Sequence, residues 1–423
     1  MASDEPADQI DATSLRRLAK ASPLFFVFFT WGFGSGAVQL ARPLFAFELS
    51  DSVFLVTLMV AITATSRIVT SPLTGYLTDR IGRKPLVLLG AGLRGAGSIG
   101  LFFVDSYVML VALEFVAQIG VSMFQTSVSV LIADVTSRES RGRFIALRSI
   151  SSRIGHIAGP ATAGLIAASF SFQHVFLFDA VTKWSIVLVV LFLIRETKPV
   201  RETRPAPARA PRPTGDSESD APITLRTFAN ATFLALAAAT VAWTMMQQGV
   251  FYAVLPVHAQ ETVGLTPSEL GALVSFAGLL AILVAYPNGL VSDRLGRKFS
   301  LVPGLLILAA GMVLLSLSPG FIVLVWAMAA YGLGEGMTMG TTQAIAMDLA
   351  PVRSRGTFLG MWSLVRSLAG VSIPLLIGGV YEFVGATAAF GLVAGWMLVS
   401  AALVAALAKE TGGRSRPERG AET

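Results

Sequence analysis

Long apolar segments separated by short polar ones run through almost the whole chain. Each segment is about 20 residues or longer, the length that an α-helix needs to cross the hydrocarbon core of a bilayer. The apolar runs are continuous rather than alternating, so a membrane β-barrel is not expected. The pattern predicts twelve helices, at residues 23–46, 53–76, 85–104, 107–133, 144–168, 175–194, 229–254, 269–291, 299–318, 321–347, 357–381 and 386–408.

The polar segments divide the twelve helices into two sets of six. We expect a cytoplasmic tail at residues 1–22, a first six-helix bundle at 23–194, a second bundle at 229–408 and a cytoplasmic tail at 409–423. Between the bundles, residues 195–228 contain six prolines and many charged residues. Such a composition cannot bury a core, so this segment is interpreted as a solvated cytoplasmic linker.

Composition supports a polytopic helical membrane protein. Hydrophobic residues make up 54% of the chain, charged residues 14%, and the mean hydropathy is +0.69. A soluble domain carries about 25% charged residues, so a soluble enzyme, a disordered protein and a nucleic-acid-binding domain are excluded. The lipid bilayer is the expected partner, and nucleic acid is not. Cysteine is absent, which excludes disulfides, thiolate metal sites and cysteine nucleophiles.

Basic residues predict the orientation. Of the 32 Lys and Arg residues, 25 fall in tails and loops on one side of the predicted bundle, and the six loops on the other side have none. The positive-inside rule then places both termini in the cytoplasm. Arginine outnumbers lysine by 26 to 6, which is typical of a GC-rich genome. We therefore expect a multi-pass protein of a bacterial plasma (inner) membrane.

The two halves of the chain repeat one another. The segment GYLTDRIGRK at 75–84 matches NGLVSDRLGRK at 288–298, and one offset of 214 residues aligns landmarks on several helices. The aligned pairs include Asp79 with Asp293, Asp134 with Asp348 and Pro160 with Pro374. An even number of helices in each repeat makes the halves parallel, and a substrate site is expected where such repeats meet.

These loop motifs resemble those of the major facilitator superfamily of secondary transporters, and the resemblance covers nearly the whole chain. Gly155-His156-Ile157-Ala158-Gly159-Pro160 is similar to the glycine–proline motif of the superfamily's antiporters. The helix 4 arginine that drug–proton antiporters usually carry is replaced by Val116. The resemblance implies an all-α membrane fold of two pseudo-symmetric six-helix bundles. It also implies transport by alternating access rather than enzyme activity, with no cofactor and the proton gradient as driving force. Each monomer would be a complete translocation unit.

The resemblance also implies gating roles for the loop and helix 5 motifs. Residues assigned to a latch between helix ends are Gly75, Asp79, Arg80, Gly82, Arg83 and Asp134 in the first half, and Asp293, Gly296, Arg297 and Asp348 in the second. Gly75 and Gly82 would allow close approach of helices, and Arg83 would bridge to Asp134. In helix 5, Gly155, Gly159 and Pro160 would form a seal between the halves, the alternative being plain close packing.

Polar residues at helical spacing predict a central wet cavity, because a polar face would leave unsatisfied groups in lipid. The substrate-binding candidates are Gln39, Arg42, Arg67, Gln118, Gln125, Arg153, Gln247, Gln248 and Arg366. The proton-coupling candidates are Glu114, Glu335 and His156, which are titratable groups within the spans. Two alternatives stay open: Glu114 could pair with Arg42 or Arg153, and His156 could be a packed neutral side chain.

Three further basic residues have ordinary explanations. Lys183 lies four residues after Asp179, so a local ion pair near the outer surface is expected. Arg148 lies about one turn from the cytoplasmic end and can extend to the interface. Arg94 lies on helix 3, which the resemblance places outside the cavity.

Two transport functions are consistent with the sequence. One is proton-coupled efflux (antiport) of a small organic molecule, which the helix 5 motif favours. The other is import or exchange of an organic anion or metabolite, which the excess of basic over acidic residues in the spans favours. A membrane enzyme or receptor is disfavoured, because no metal-ligand cluster and no nucleophile–base pair is visible in the sequence.

Overall fold

A computed structural model of the chain describes residues 12–135, 141–193, 231–317, 320–350 and 355–408, with the side chains of 12–22, 71, 79, 133–135, 141–143 and 355–357 excepted. These residues form twelve long helices: α1 (Ala12–Ser50), α2 (Val53–Ile81), α3 (Arg83–Phe102), α4 (Tyr107–Val135), α5 (Arg141–Ser169), α6 (Phe172–Leu193), α7 (Ala231–Glu261), α8 (Pro267–Leu295), α9 (Lys298–Leu317), α10 (Phe321–Leu349), α11 (Arg355–Phe383) and α12 (Ala386–Leu407). The predicted linker 195–228 and tail 409–423 lie outside the described residues.

Two helices extend furthest beyond their predicted ends. Helix α1 begins at Ala12, although its apolar part starts at Pro23 as expected. Helix α7 continues to Glu261 and contains a widened π-helical stretch at Met245–Val254. Pro256 follows this stretch; it lacks an N–H and crowds the preceding turn, and wider turns are a common accommodation.

Eleven of these helices are long and apolar enough to cross a membrane, judged by length and composition over the described residues. The twelfth, α5, has 29 residues, as α4 does, but four of them are arginines. It lies between α1 of the first half and α8 of the second. Its central polar residues Ser152, Arg153 and His156 are therefore placed within the bundle.

Close packing of α1 on α5 holds the first half together. A Cβ atom added at Gly155 would meet the backbone of Phe29 and Phe33, and one at Gly159 would meet the backbone nitrogen of Ala37. Small residues four apart allow two helix backbones to approach this closely, which is a main source of helix association in lipid.

The two halves meet at one end of the bundle. We call the end near Ile81 and Leu295 the basic end, and the end near Ser50 and Phe383 the opposite end. Near the opposite end α5 packs on α8, where Ser275 Oγ donates to the carbonyl of Ile157 at 2.6 Å. The helices α2 and α11 also meet there.

The α2–α11 contact joins two elements of different halves. The carboxylate of Glu382 on α11 accepts a hydrogen bond from the Val53 N–H at 2.9 Å, at the first turn of α2. Gly378 lies directly against Thr57, so that a Cβ atom would have no room there. On the side of these contacts that faces the basic end, a cleft lies between Arg153 of the first half and the helices of the second half.

Candidate functional site

The cleft contains a chamber of about 250 Å³ that we call the first chamber, bounded mainly by helices of the first half. The predicted substrate residues that line it are Gln39, Arg42, Arg67, Gln118, Gln125 and Gln248, and the proton candidate His156 also lines it. Trp31 and Phe124 stack in its wall with ring centroids 3.7 Å apart. Polar residues of α1, α2, α4, α5 and α7 therefore meet at this chamber.

A buried charge cluster lies behind this chamber. Arg94 on α3 donates to Asp179 on α6 at 3.0 Å and to Glu114 on α4 at 3.2 Å. Lys183 binds the other oxygen of Asp179 at 2.7 Å, and Arg42 lies 3.7 Å from Glu114. Both carboxylates are fully buried. Three basic groups thus neutralise the two acids and leave one positive charge in excess.

The cluster corrects two expectations and decides one open alternative. The ion pair of Asp179 and Lys183 is present, but it is fully buried rather than near the outer surface. Arg94 does not lie outside the cavity: it is buried and reaches the chamber wall. Glu114 takes the ion-paired alternative with Arg42, whereas Arg153 is not its partner in the described contacts. Each pairing except the i,i+4 one spans different helices, so helical spacing could not reveal it.

Glu335 has a different environment. It is the central residue of α10, fourteen residues from either end. Trp243 Nε1 donates to one oxygen at 2.8 Å and Gln247 Nε2 donates to the other at 3.3 Å. No basic nitrogen among the described side chains lies within 4.0 Å of its carboxylate. Its side chain is mostly buried and faces a second chamber of about 270 Å³.

Arg153 connects the two halves at this chamber. It belongs to α5 of the first half, yet its guanidinium donates to the sulfur of Met339 on α10, one helical turn beyond Glu335. It also lines a third chamber of about 260 Å³ together with Trp362 and Arg366. The Arg366 guanidinium lies 5.5 Å from the centroid of the Trp362 ring.

His156 sits both at the chamber wall and at the α1–α5 crossing. Its Nδ1–H donates to the Ser152 carbonyl at 2.9 Å, within its own helix. A Cβ atom added at Gly32 on α1 would meet this ring nitrogen. The His156 ring is therefore packed at a close helix crossing and also borders the cavity, so the structure is compatible with both alternatives, a proton carrier and a packed neutral side chain.

The latch is visible in the second half. Arg297 binds Asp293 at 2.8 Å and Asp348 at 3.4 Å, which joins the α8–α9 turn to the end of α10. Gly296 has φ 115° and its equivalent Gly82 has φ 110°. Only glycine adopts this backbone readily, so a required turn explains both residues better than close approach.

In the first half, the equivalent latch is only partly described. Arg83 donates to the Thr78 carbonyl at 3.4 Å, and the exposed Arg80 lies over the ring of Tyr76. The side chains of Asp79 and Asp134 lie outside the described residues, so their predicted contacts with this loop stay predictions. Gly75 has no neighbouring atom within 4 Å of an added Cβ, so in this conformation it does not provide the expected close approach.

The helix 5 motif also divides differently from the expectation. Gly155 and Gly159 pack within the first half against α1, not between the halves. The contact with the second half falls on Pro160 and on Gly164, which face Gly271 and Pro267 of α8. Close packing within the first half and contact between the halves thus fall on two different faces of α5.

Sequence reasoning missed several aromatic side chains of the site. Trp243 lies one turn before Gln247 and binds Glu335, and Trp362 lies one turn before Arg366. Tyr252 lines the first chamber from α7. Each tryptophan lies four residues before a predicted cavity residue, a spacing that places both on one helix face and could have indicated it. Aromatic residues are so common in spans that the signal was weak.

Comparison with known proteins agrees with this architecture. A family model described as Major Facilitator Superfamily matches residues 24–252 and 237–423. Similar curated proteins include the class C tetracycline resistance protein of Escherichia coli, 26% identical over 76% of this chain and 79% of that protein. The multidrug resistance protein MdtG of Dickeya zeae is 26% identical over 79% of each.

Solved structures share the fold. A POT family transporter in complex with 5-aminolevulinic acid has a TM-score of 0.74 at 15% identity, over 92% of this chain and 96% of that one. An inward-facing, occupied bacterial homolog of the human lysosomal transporter Spinster has a TM-score of 0.71 at 14% identity, over 93% and 95%. The chain is thus a multi-pass membrane transporter, and it belongs to the Major Facilitator Superfamily.

Proposed function

We propose that the protein exports small organic molecules across a bacterial plasma membrane in exchange for protons, as a monomer without metal or cofactor. The basic end would be cytoplasmic, with both termini on that side, because Lys- and Arg-rich loops favour the cytoplasmic face. Relatives named for tetracycline and multidrug resistance, at 26% identity or less over most of the chain, support the direction of transport.

The observation that carries the proposal is the environment of Glu335. The other two buried carboxyl groups of the described chain, Glu114 and Asp179, are bound to basic side chains. Protonating either would leave a buried cation without its partner, which is strongly unfavourable. Glu335 has only neutral donors and borders a chamber. It can gain or lose a proton without breaking an ion pair, and we assign the transported proton to it.

Arg153 couples this proton to the movement of the halves. When Glu335 loses its proton, its carboxylate attracts the Arg153 guanidinium, which contacts Met339 one helical turn away. The attraction acts across the cleft, because Arg153 belongs to the first half and Glu335 to the second. Protonation of Glu335 removes this attraction. The charge state of one side chain thus biases the distance between the bundles.

The conformation fits a loading state for export. The halves contact each other near the opposite end through α5–α8 and α2–α11, and the cleft extends toward the basic end. If the basic end is cytoplasmic, this is an inward-open state that receives substrate from the cytoplasm.

Glu335→Gln tests the proton assignment in proteoliposomes with an acidic lumen. The parent protein should accumulate labelled tetracycline while an entrapped dye reports lumen alkalinisation. Glutamine resembles the protonated acid, so the variant should lose both pH-driven signals but keep exchange of labelled for unlabelled tetracycline. Asp105→Asn, in the exposed α3–α4 loop, is the matched control and should behave as the parent. Full pH-driven accumulation by Glu335→Gln would refute the assignment.

The alternative function, import or exchange of an organic anion, is favoured by the excess of basic side chains around the chambers. Arg42, Arg67, Arg94 and Arg148 all line the first chamber. Exchange without protons would show uptake that requires substrate on both sides and does not respond to a pH gradient. That result, obtained with the parent protein, would replace the export proposal by this one.

A further inference from the structure

Two of the cavity arginines have neither a carboxylate partner nor a hydrogen bond among the described residues, whereas Arg148 and Arg153 each donate one. Among the described side chains, no acidic oxygen lies within 4.0 Å of Arg67 on α2 or Arg366 on α11. Arg67 lines the first chamber and Arg366 lines the third. This differs from Arg42 and Arg94 of the same cleft, which bind Glu114. A pair of uncompensated guanidinium groups inside a membrane protein usually marks a binding site for an opposite charge.

The helices place both arginines at one depth, on opposite sides of the cleft. The α2–α11 contact joins Thr57 to Gly378. Arg67 lies ten residues beyond Thr57, and Arg366 lies twelve residues before Gly378 on the antiparallel helix. At about 1.5 Å per residue, they lie roughly 15 and 18 Å from the contact. Arg366 and Arg42 each lie close enough to Arg67 for their positive charge to act on it.

An aromatic wall adjoins the second of these arginines. Trp362, buried under the Arg366 guanidinium, and Trp243 both line the third chamber. Flat, apolar surfaces of this kind accept a ring system, while a planar guanidinium can hold a carboxylate by two parallel hydrogen bonds. The site therefore offers a charged end and an apolar end within one cleft.

We propose that the substrate is an amphiphilic organic anion, whose acidic group binds between Arg67 and Arg366 and whose ring system lies against Trp362 and Trp243. This inference rests on the proposed transport function and specifies its substrate class. Since Arg67 belongs to the first half and Arg366 to the second, an acidic group would bridge the bundles. Its charge would also offset the repulsion between the two arginines, which favours their approach during closure.

The test measures binding of three probes that share a ring: 2-naphthoate, neutral 2-naphthamide and cationic 2-naphthylmethylamine. Dissociation constants come from thermal unfolding of the detergent-purified full chain and from tryptophan fluorescence. Naphthoate should bind at least tenfold more tightly than the other two. Arg67→Gln and Arg366→Gln should each weaken naphthoate at least tenfold without weakening naphthamide. Arg294→Gln, an exposed residue near the basic end, should leave all three unchanged.

Equal or tighter binding of the amine would overturn the proposal, as would naphthoate binding that both arginine variants retain. Circular dichroism and size-exclusion profiles identify any variant that fails to fold. A variant that fails is replaced by Arg67→Lys or Arg366→Lys, which keeps the charge and should bind naphthoate partially. The proposed function is judged separately by pH-driven accumulation. Accumulation of amine but not of naphthoate overturns the anion site alone, whereas naphthoate binding without pH-driven accumulation of any probe overturns proton export alone.

Discussion

Charge is handled differently in the two halves of this transporter. In the first half, Arg94 joins Glu114 and Asp179 across three helices, and Lys183 completes the cluster. In the second half, Glu335 occupies the middle of α10 with only Trp243 and Gln247 as donors. A compensated cluster fixes helices in place, whereas a lone acid can change its charge. The difference teaches that an internal repeat can keep its latch motif while one half pairs its buried acids with basic groups and the other holds a buried acid among neutral donors.

The largest effect is expected from breaking the first-half cluster. Asp179→Asn would leave Lys183 and Arg94 without their shared carboxylate in a buried site, so the free energy of unfolding should fall by about 3–5 kcal/mol. Unfolding in mixed micelles with increasing sodium dodecyl sulfate measures it. Combining the change with Lys183→Met removes one charge of each sign and should recover part of the loss. An unchanged single variant would contradict the structural role of the cluster.

Helix packing also differs between the two halves, and the α1–α5 crossing tests this difference. Gly159→Ala would place a methyl group against backbone atoms of α1 and should lower the free energy of unfolding by about 1–3 kcal/mol. The equivalent crossing of the second half is α7–α11, where Gly249 faces the movable side chain of Ile377. Gly249→Ala should therefore cost less than Gly159→Ala in the same unfolding assay. Equal losses would show that the two crossings are similarly rigid.

A smaller effect is expected where the halves meet. Glu382→Gln weakens a charged cap on the first turn of α2, an interaction worth about 1 kcal/mol, so the ratio of molecules open to molecules closed at the basic end should fall about fivefold. Since the chain has no cysteine, spin labels at Ile81→Cys and Leu295→Cys can report the distance between the halves. The distance distribution should shift toward shorter values. The same labels with Glu269→Gln, which caps α8 within one half, provide the control.

The smallest effect on stability should come from Glu335→Gln. Its amide can still accept a hydrogen bond from Trp243 and leaves no cation unpaired, so unfolding should change by less than about 0.5 kcal/mol. Glu114→Gln, which leaves Arg42 and Arg94 without the Glu114 carboxylate, should be clearly less stable in the same assay. Equal losses of stability in the two variants would contradict the proposed difference between Glu114, which is held in an ion-pair cluster, and Glu335, which has only neutral donors.

Much of the fold was predictable from the sequence. Apolar segments long enough to span a bilayer, the basic loops and the 214-residue repeat predicted twelve helices in two bundles. The family model and the shared fold confirm that prediction. The polar stripes also predicted a wet cavity, and Gln39, Arg42 and Gln118 line it. These features depend on periodicity along one helix, which a sequence displays directly.

Contacts between helices were less predictable. Arg94 was expected outside the cavity and Asp179 near the surface, yet both belong to one buried cluster. Gly155 and Gly159 were expected between the halves, yet they pack within one half. A helical pattern says which residues share a face but not which neighbouring helix covers that face.

The sequence by itself determined that the chain is a two-bundle membrane protein, because helix length, apolar periodicity and loop charge are local properties. Only the tertiary structure decided which of the three buried acids of the described chain has no basic partner. That choice depends on whether arginines from other helices lie within a few ångströms, as for Glu114, or not, as for Glu335. Coulomb attraction depends on distance in space, and helix packing alone sets that distance.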